Sequence, residues 1–165
     1  MNKENRIIKD VARFENDVYR ISAWTGKEGA SFLDVRVYFK KNGKLKKTEE
    51  GMNILSSLRA EIADALIQAK NAPELPLPAE GKKFESALVT TVSISETAQY
   101  QISKVRGPKN CSVRISYAFK GDNGDFIPSG KKAISILESS VDALAEVLLS
   151  PEAAPVQTEA ATQAV

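Results

Sequence analysis

Residues 33–54 read LDVRVYFKKNGKLKKTEEGMNI, which spells a β-hairpin whose return strand runs into a helix. Leu33, Val35, Val37 and Phe39 alternate with Asp34, Arg36 and Tyr38, the period-two pattern of a half-buried strand. Asn42-Gly43 is a strong hairpin signal, because a type I′ turn needs positive φ at both central residues. Lys40, Lys41, Lys44, Lys46 and Lys47 crowd the hairpin. Such a strand pair offers an apolar face to a core and a basic, aromatic-bearing face to a polyanion. The plainer reading is that the lysines keep an exposed hairpin soluble and guard its edge.

Upstream, Asp17–Thr25 alternates Tyr19, Ile21 and Ala23 with Arg20, Ser22 and Trp24 and reads as another strand. Arg6–Phe14 is ambiguous: Ile7, Val11 and Phe14 fit a helical stripe, and a short strand or extended arm is the expectation. Residues 1–5 are polar and expected to fray. Downstream, Leu55, Leu58, Ile62, Ala65, Leu66 and Ala69 recur at helical spacing, with Ser56 or Ser57 available as a cap. Residues 71–81 contain Pro73, Pro76 and Pro78 and cannot continue that helix.

The second half repeats the first. Tyr19, Ile21, Ser22 and Gly26 find Tyr100, Ile102, Ser103 and Gly107, and Asn42-Gly43 finds Asn123-Gly124, all at an offset of 81. After one extra residue near Ser129, Ile54 finds Ile136 at an offset of 82. Leu137, Val141, Leu144, Val147 and Leu148 then form a second helical stripe. An offset held within one residue across two strands, a turn and a helix signals duplication. The expected fold is α+β, with two ββββα repeats. Each is a curved antiparallel sheet with one helix, and the two pack as an intramolecular pseudo-twofold pair. The expected boundaries are 6–70 for the first repeat, 71–83 for a proline-containing linker and 84–149 for the second repeat. Residues 150–165, rich in Ala, Pro, Gln, Thr and Glu, are expected to be a disordered tail.

Composition narrows the chemistry. The chain has 165 residues, 42% hydrophobic and 27% charged, as in a globular protein. Its net charge is only +2, but residues 1–70 carry 14 Lys+Arg against 10 Asp+Glu, whereas 84–149 carry 7 against 7. An anion-binding role must therefore rest on a local patch. The absence of histidine removes the commonest general acid–base and metal ligand. Cys111 is the only cysteine and reads as a small buried hydrophobe, with no internal disulfide and no cysteine zinc site. Gly121–Asp125, GDNGD, starts like a calcium loop but lacks the bidentate Glu at the twelfth position, so it reads as a hairpin turn. No phosphate loop or nucleophile elbow appears. A non-enzymatic protein without metal or cofactor is expected. With no apolar span and a charged N-terminus, it is expected to be intracellular, in cytoplasm, nucleoid or nucleus.

The order of motifs resembles the single-strand-binding core of the transcriptional coactivator called positive cofactor 4. That family runs strand, aromatic-x-Gly-Lys, a strand with apolar-Asp-Ile-Arg-x-aromatic-aromatic, a glycine-containing turn, Lys-Pro-Gly-x-Lys-Gly-Ile-Ser-Leu, helix. Trp24-Thr25-Gly26-Lys27 fits the first step. Residues 33–39, LDVRVYF, fit the second, and residues 126–136, FIPSGKKAISI, fit the third with Ser129 inserted. The resemblance covers about residues 18–68 and 98–149. Whirly and Pur-alpha proteins use a similar ββββα unit and are near neighbours.

Members of that family bind single-stranded DNA as homodimers, so the resemblance implies a tandem version with both halves on one chain. It implies a strand-binding set of Trp24, Lys27, Arg36, Phe39, Lys44, Lys46, Arg106, Arg114, Phe119, Lys131 and Lys132. Neither half keeps the full set. Glu50 stands where a DNA-contacting lysine would be, Val105 replaces the aromatic residue, and Ser116 takes the strand-arginine position near Arg114. Trp24 and the two phenylalanines read equally well as core, and Arg36 could instead pair with Asp34. Tyr19 and Tyr100 read as structural. The expected function is binding of single-stranded DNA in replication, recombination or transcription, by phosphate capture plus base stacking. The alternatives are an RNA-binding protein of the Pur-alpha or Whirly kind, and a duplicated scaffold whose near-neutral second half and tail dock a polymerase or other replication or transcription protein.

Overall fold

The computed structural model describes residues 5–155. Its elements are β1 (Arg6–Phe14), β2 (Asp17–Thr25), β3 (Ser31–Lys41), β4 (Lys44–Leu55), α1 (Arg59–Lys70), β5 (Glu85–Ser95), β6 (Ala98–Arg106), β7 (Cys111–Lys120), β8 (Phe126–Leu137) and α2 (Glu138–Leu149). Strands β1-β2-β3-β4 form one antiparallel meander and β5-β6-β7-β8 a second. These are two ββββα repeats, as the internal offset predicts.

Register irregularities carry the duplication further than residue identity does. The β1–β2 ladder shifts between Ile7 and Lys9 and between Ala12 and Phe14. The β5–β6 ladder shifts between Leu88 and Thr90 and between Ser93 and Ser95, each 81 residues on. The β3–β4 ladder shifts between Arg36 and Tyr38, and the β7–β8 ladder between Ser116 and Ala118, 80 residues on. Bulges bend strands and add twist, so both sheets inherit the same deformation at the same places.

Sparse burial explains why residues 6–14 lack a clean strand signal: β1 lies at the edge of its sheet, and only Val11 of it is buried. The Asn42-Gly43 turn has φ of 53° and 80°, the type I′ geometry expected of that pair. The second hairpin differs. Only Gly124 has positive φ, and the loop is wider, with Gly121 N donating to Asp125 O and Asn123 Oδ1 accepting from Asp125 N.

The helix starts also differ from expectation. Leu55 belongs to β4, residues 56–58 form a 3-10 turn, and α1 begins at Arg59 with no side-chain cap. Ser56 is buried instead. The first part of the expected tail is ordered. Residues 151–153 form a 3-10 turn, Ala153 is buried, and Arg6 Nη2 donates to Glu152 O at 3.0 Å. Residues 1–4 and 156–165, which hold the rest of the expected frayed ends and any docking role of the tail, lie outside the described residues.

The helices pack on each other and across the repeats. α1 lies against β5, β6 and β7 of the second sheet, and α2 lies against β1 of the first as well as β7 and β8 of its own. Ser140 Oγ of α2 donates to Ala12 O of β1 at 2.7 Å. Ile62 and Leu66 of α1 and Val141, Leu144 and Leu148 of α2 are fully buried and share one core with both sheets. Leu58 is only partly buried against that core. A single sheet with one helix leaves apolar faces uncovered, and exchange of helices covers both.

Two tyrosines close this association reciprocally. Tyr19 Oη accepts from Leu137 N and donates to Ser135 O, both at 2.9 Å. Tyr100 Oη accepts from Leu55 N at 3.0 Å and donates to Asn53 O at 3.3 Å. Each satisfies backbone groups where the other repeat's last strand turns into its helix. Burial pushes both phenols above their ordinary value, against the opposing effect of the Leu137 and Leu55 amides. A phenol with a raised folded-state pKa binds its proton more tightly folded than unfolded. The contribution of the two phenols to stability is therefore expected to be constant below about pH 10 and to be lost as pH rises beyond it. Denaturant titrations at stepped alkaline pH check this, and Tyr19→Phe/Tyr100→Phe should flatten the fall.

One core-facing position has no apolar residue. Tyr100, Ile102 and Lys104 alternate on the buried face of β6, and Lys104 is 3% exposed. Its Nζ donates to Lys70 O at 2.9 Å and Ala72 O at 2.6 Å, and lies 3.3 Å from Glu138 Oε2. One ammonium thus satisfies carbonyls at the C-terminal end of α1, where the helix dipole favours a cation, and pairs with the first residue of α2. The first repeat has Ala23 at the equivalent place.

Candidate nucleic-acid interface

Where β4 and β8 approach each other, a groove of about 930 Å³ spans both repeats. Its aromatic lining is Phe32 and Phe39 from β3, Tyr100 from β6 and Tyr117 from β7. Its cations are Arg36 and Lys47 from the first repeat and Lys131 and Lys132 from the second, against one carboxylate, Glu49. Strand alternation explains the mixture. Phe32 and Arg36 sit on the face of β3 opposite Leu33 and Val35, while Tyr100 and Tyr117 belong to the inner side of the second sheet.

The lysines are set up by local chemistry. Lys131 and Lys132 are exposed on β8, and both of their backbone amides donate to Ser129 Oγ, at 3.3 and 3.1 Å. Lys132 Nζ stands 5.2 Å from the Tyr117 ring centroid, a cation–π distance. No ion pair joins Lys47, Lys131 or Lys132 to another described residue. Arg36 differs. Its Nε and Nη2 grip Asp34 at 3.1 and 3.0 Å, and Nη1 donates to Thr48 O at 3.2 Å. Its charge is largely answered within the protein, so it shapes the groove as much as it charges it.

Gly51 makes room for that arginine. A Cβ at Gly51 would lie 2.8 Å from Arg36 Cβ and Cγ and from Val35 O, so any side chain there must displace the strand or the arginine. The second repeat pairs Ala133 with Ser116 instead. Gly51→Ala is expected to destabilise the protein by roughly 1–3 kcal/mol, as for overpacking, measured by denaturant unfolding.

Beside this groove lies a smaller one of about 380 Å³, which shares Arg36, Lys47 and Asn53 with it. Trp24 lines the smaller groove. Its ring stacks on Phe32 with centroids 4.7 Å apart and planes at 21°, and its Nε1 donates to Asn53 Oδ1 at 2.9 Å. The stacked pair therefore reaches from one groove to the other.

Of the residues expected to bind nucleic acid, Arg36, Phe39, Lys131 and Lys132 line the large groove and Trp24 the adjoining one. Lys44 and Lys46 are exposed on the hairpin, Lys46 opposite Phe39, and Lys27 is exposed in the turn after β2. None of these three lines either groove. Arg106, Arg114 and Phe119 do not join them. Arg106 Nη1 donates to Cys111 Sγ at 3.0 Å and lies 3.8 Å from Glu74, Arg114 Nη1 donates to Ser135 Oγ at 3.4 Å, and Phe119 is exposed near the end of β7. Cys111 is half-buried beside Arg106, not buried among apolar groups. Glu50 lies 3.9 Å from Arg13.

Sequence reasoning missed Phe32, Lys47, Tyr100 and Tyr117 as groove residues. Lys47 was visible in the lysine cluster. Tyr117 alternates with Val113 and Ile115 and so reads as core, which it half is. Among the described residues no group of three or more His, Cys, Asp or Glu is placed to hold a metal ion, and no helix is long and apolar enough to cross a membrane. No protein-family model matches the chain, and no curated protein is significantly similar to it.

Proposed function

We propose that this protein binds single-stranded DNA in the groove between its two repeats, as a tandem relative of the positive cofactor 4 core. The observation that carries the reading is convergence. Three partly exposed aromatic rings, Phe32, Phe39 and Tyr117, and three lysines outside ion pairs, contributed by both repeats, line one open groove. Binding single strands without reading sequence needs these two parts, flat surfaces for bases and cations that track phosphates. The resemblance in motif order supports the same reading, with a role in replication, recombination or transcription.

Fluorescence anisotropy with labelled single-stranded DNA, duplex DNA and RNA of one length tests it. Single-stranded DNA should bind most tightly. A preference for RNA would move the protein to the Pur-alpha and Whirly side of the resemblance, and no binding to any of the three at low salt would overturn the proposal. Log affinity should fall with log salt by about 0.7 for each phosphate neutralised. Lys131→Ala/Lys132→Ala should weaken binding and make that slope shallower. Phe39→Ala and Trp24→Ala should each weaken binding by roughly 1–3 kcal/mol and leave the slope unchanged, because each removes a stacking surface and no charge.

A further inference from the structure

The groove carries one group that phosphate capture does not explain. Residues 48–50 of β4 stand opposite Val37 alone, and residues 129–132 of β8 opposite Tyr117 alone, so each repeat contributes a bulge to the groove's lining. A hydroxyl organises each bulge. Thr48 Oγ1 accepts from Glu50 N at 3.2 Å, and Ser129 Oγ accepts from the amides of Lys131 and Lys132. The two bulges differ in sign. Lys131 and Lys132 line the groove from one, and Glu49 lines it from the other. Glu50, next in the chain, lies 3.9 Å from Arg13 and is not part of the lining.

A carboxylate beside cations that track phosphates works against them. What it can do is accept hydrogen bonds. The other polar groups of the lining are largely occupied within the protein. Thr48 Oγ1 donates to Val37 O, Tyr100 Oη is held by Leu55 N and Asn53 O, and Asn53 Oδ1 accepts from Trp24 Nε1. Arg36 grips Asp34. Glu49 is exposed, and no hydrogen bond or ion pair holds its carboxylate among the described residues. It can accept from a molecule in the groove without first losing a bond inside the protein.

We infer that Glu49 reads a base, and that the groove favours a single strand that places a guanine against it. This rests on the function proposed above and adds one point of sequence readout to it. An ionised carboxylate is acceptor-only, with two oxygens side by side. The Watson–Crick edge of guanine offers two adjacent donors, N1–H and the N2 amino group. Cytosine and adenine each offer one amino donor beside a ring-nitrogen acceptor. Thymine offers one N–H between two carbonyls, whose lone pairs a carboxylate repels. Lysines hold phosphates and rings stack bases whatever the sequence. Glu49 is the groove residue whose contact depends on which base is present.

Competition against a labelled oligothymidylate, read by fluorescence anisotropy on the full chain at low salt, tests the inference. The competitors are oligothymidylates of about eight nucleotides, within the site sizes of single-strand grooves, with thymine, guanine or hypoxanthine at one central position. Hypoxanthine is guanine without its N2 amino group. The guanine strand is expected to bind at least about fivefold more tightly than the other two, the low end for a bidentate base contact because the groove is open to water. Glu49→Ala is expected to erase that preference and to tighten binding of the all-thymine strand. Glu49 is exposed, so the folded state should survive, and circular dichroism checks it. Equal affinity of the wild-type chain for the three strands would overturn the inference while sparing the proposed function. So would a guanine preference that survives Glu49→Ala. Absence of binding to any strand would overturn both.

Discussion

Leu144→Ala is expected to lower stability by about 2–5 kcal/mol and to make both repeats melt earlier in a single transition. Leu144 is fully buried in α2 and belongs to the core that takes in α1 and both sheets. Truncation removes apolar contact and leaves a cavity that close-packed neighbours cannot fully collapse. Leu66→Ala, on α1, should cost a similar amount for the same reason. Shared loss is the distinguishing outcome. α1 lies on the second sheet, α2 lies on the first as well as its own, and the two helices pack on each other, so damage to either helix uncovers surface in both repeats. Differential scanning calorimetry should show one transition moving as a whole. Two transitions, with only one displaced, would mean that the repeats are independent. The same logic applies to a fragment of residues 1–72. It lacks β5 and β6, which cover α1, and α2, which covers β1, so it should self-associate or unfold. A folded monomer with an unchanged melting temperature would contradict the exchanged-helix core.

Lys104→Ala should cost about 3 kcal/mol, the lower end for a broken buried ion pair. Three partners lose their cation at once. Lys70 O and Ala72 O are left without the donor they receive, and Glu138 keeps its charge with only a quarter of its side chain in water. That residual exposure softens the penalty. Lys104→Met should cost clearly less than Lys104→Ala if packing of the aliphatic stem matters as much as the charge. Adding Glu138→Gln to Lys104→Met should recover part of the remainder, because a buried pair replaced on both sides avoids an uncompensated charge. Urea unfolding of the three variants gives the comparison. Equal stability of Lys104→Ala and the wild type would refute the capping role. The ion pair of Lys70 with Asp142, at 2.8 Å but half in water, should by contrast contribute under about 1 kcal/mol.

Local chemistry alone determined much of this protein. Alternation in residues 33–39, the Asn42-Gly43 pair and the helical stripes are local signals, and each element forms where they stand. The offset of 81 to 82 also lies wholly in the sequence, and it dictates two ββββα units. Less legible was β1, because it buries only one residue and so has little pattern to show. Lys104 was invisible for a related reason. A lysine in a strand is normally solvated, and only the arrival of α1's C-terminal carbonyls and Glu138 makes its burial tolerable.

The groove was decided by tertiary structure. Its walls come from strands far apart in the chain, and a pattern confined to one strand cannot bring them together. Arg36 and Lys131 were named separately, but nothing in their spacing brings them to one groove. Arg106 and Arg114 were named on equal grounds and lie elsewhere, held by Cys111, Glu74 and Ser135. Sequence pattern reports which way a side chain points from its own strand. Which side chains then face each other depends on how the two sheets and the exchanged helices pack, and that is a property of the whole core.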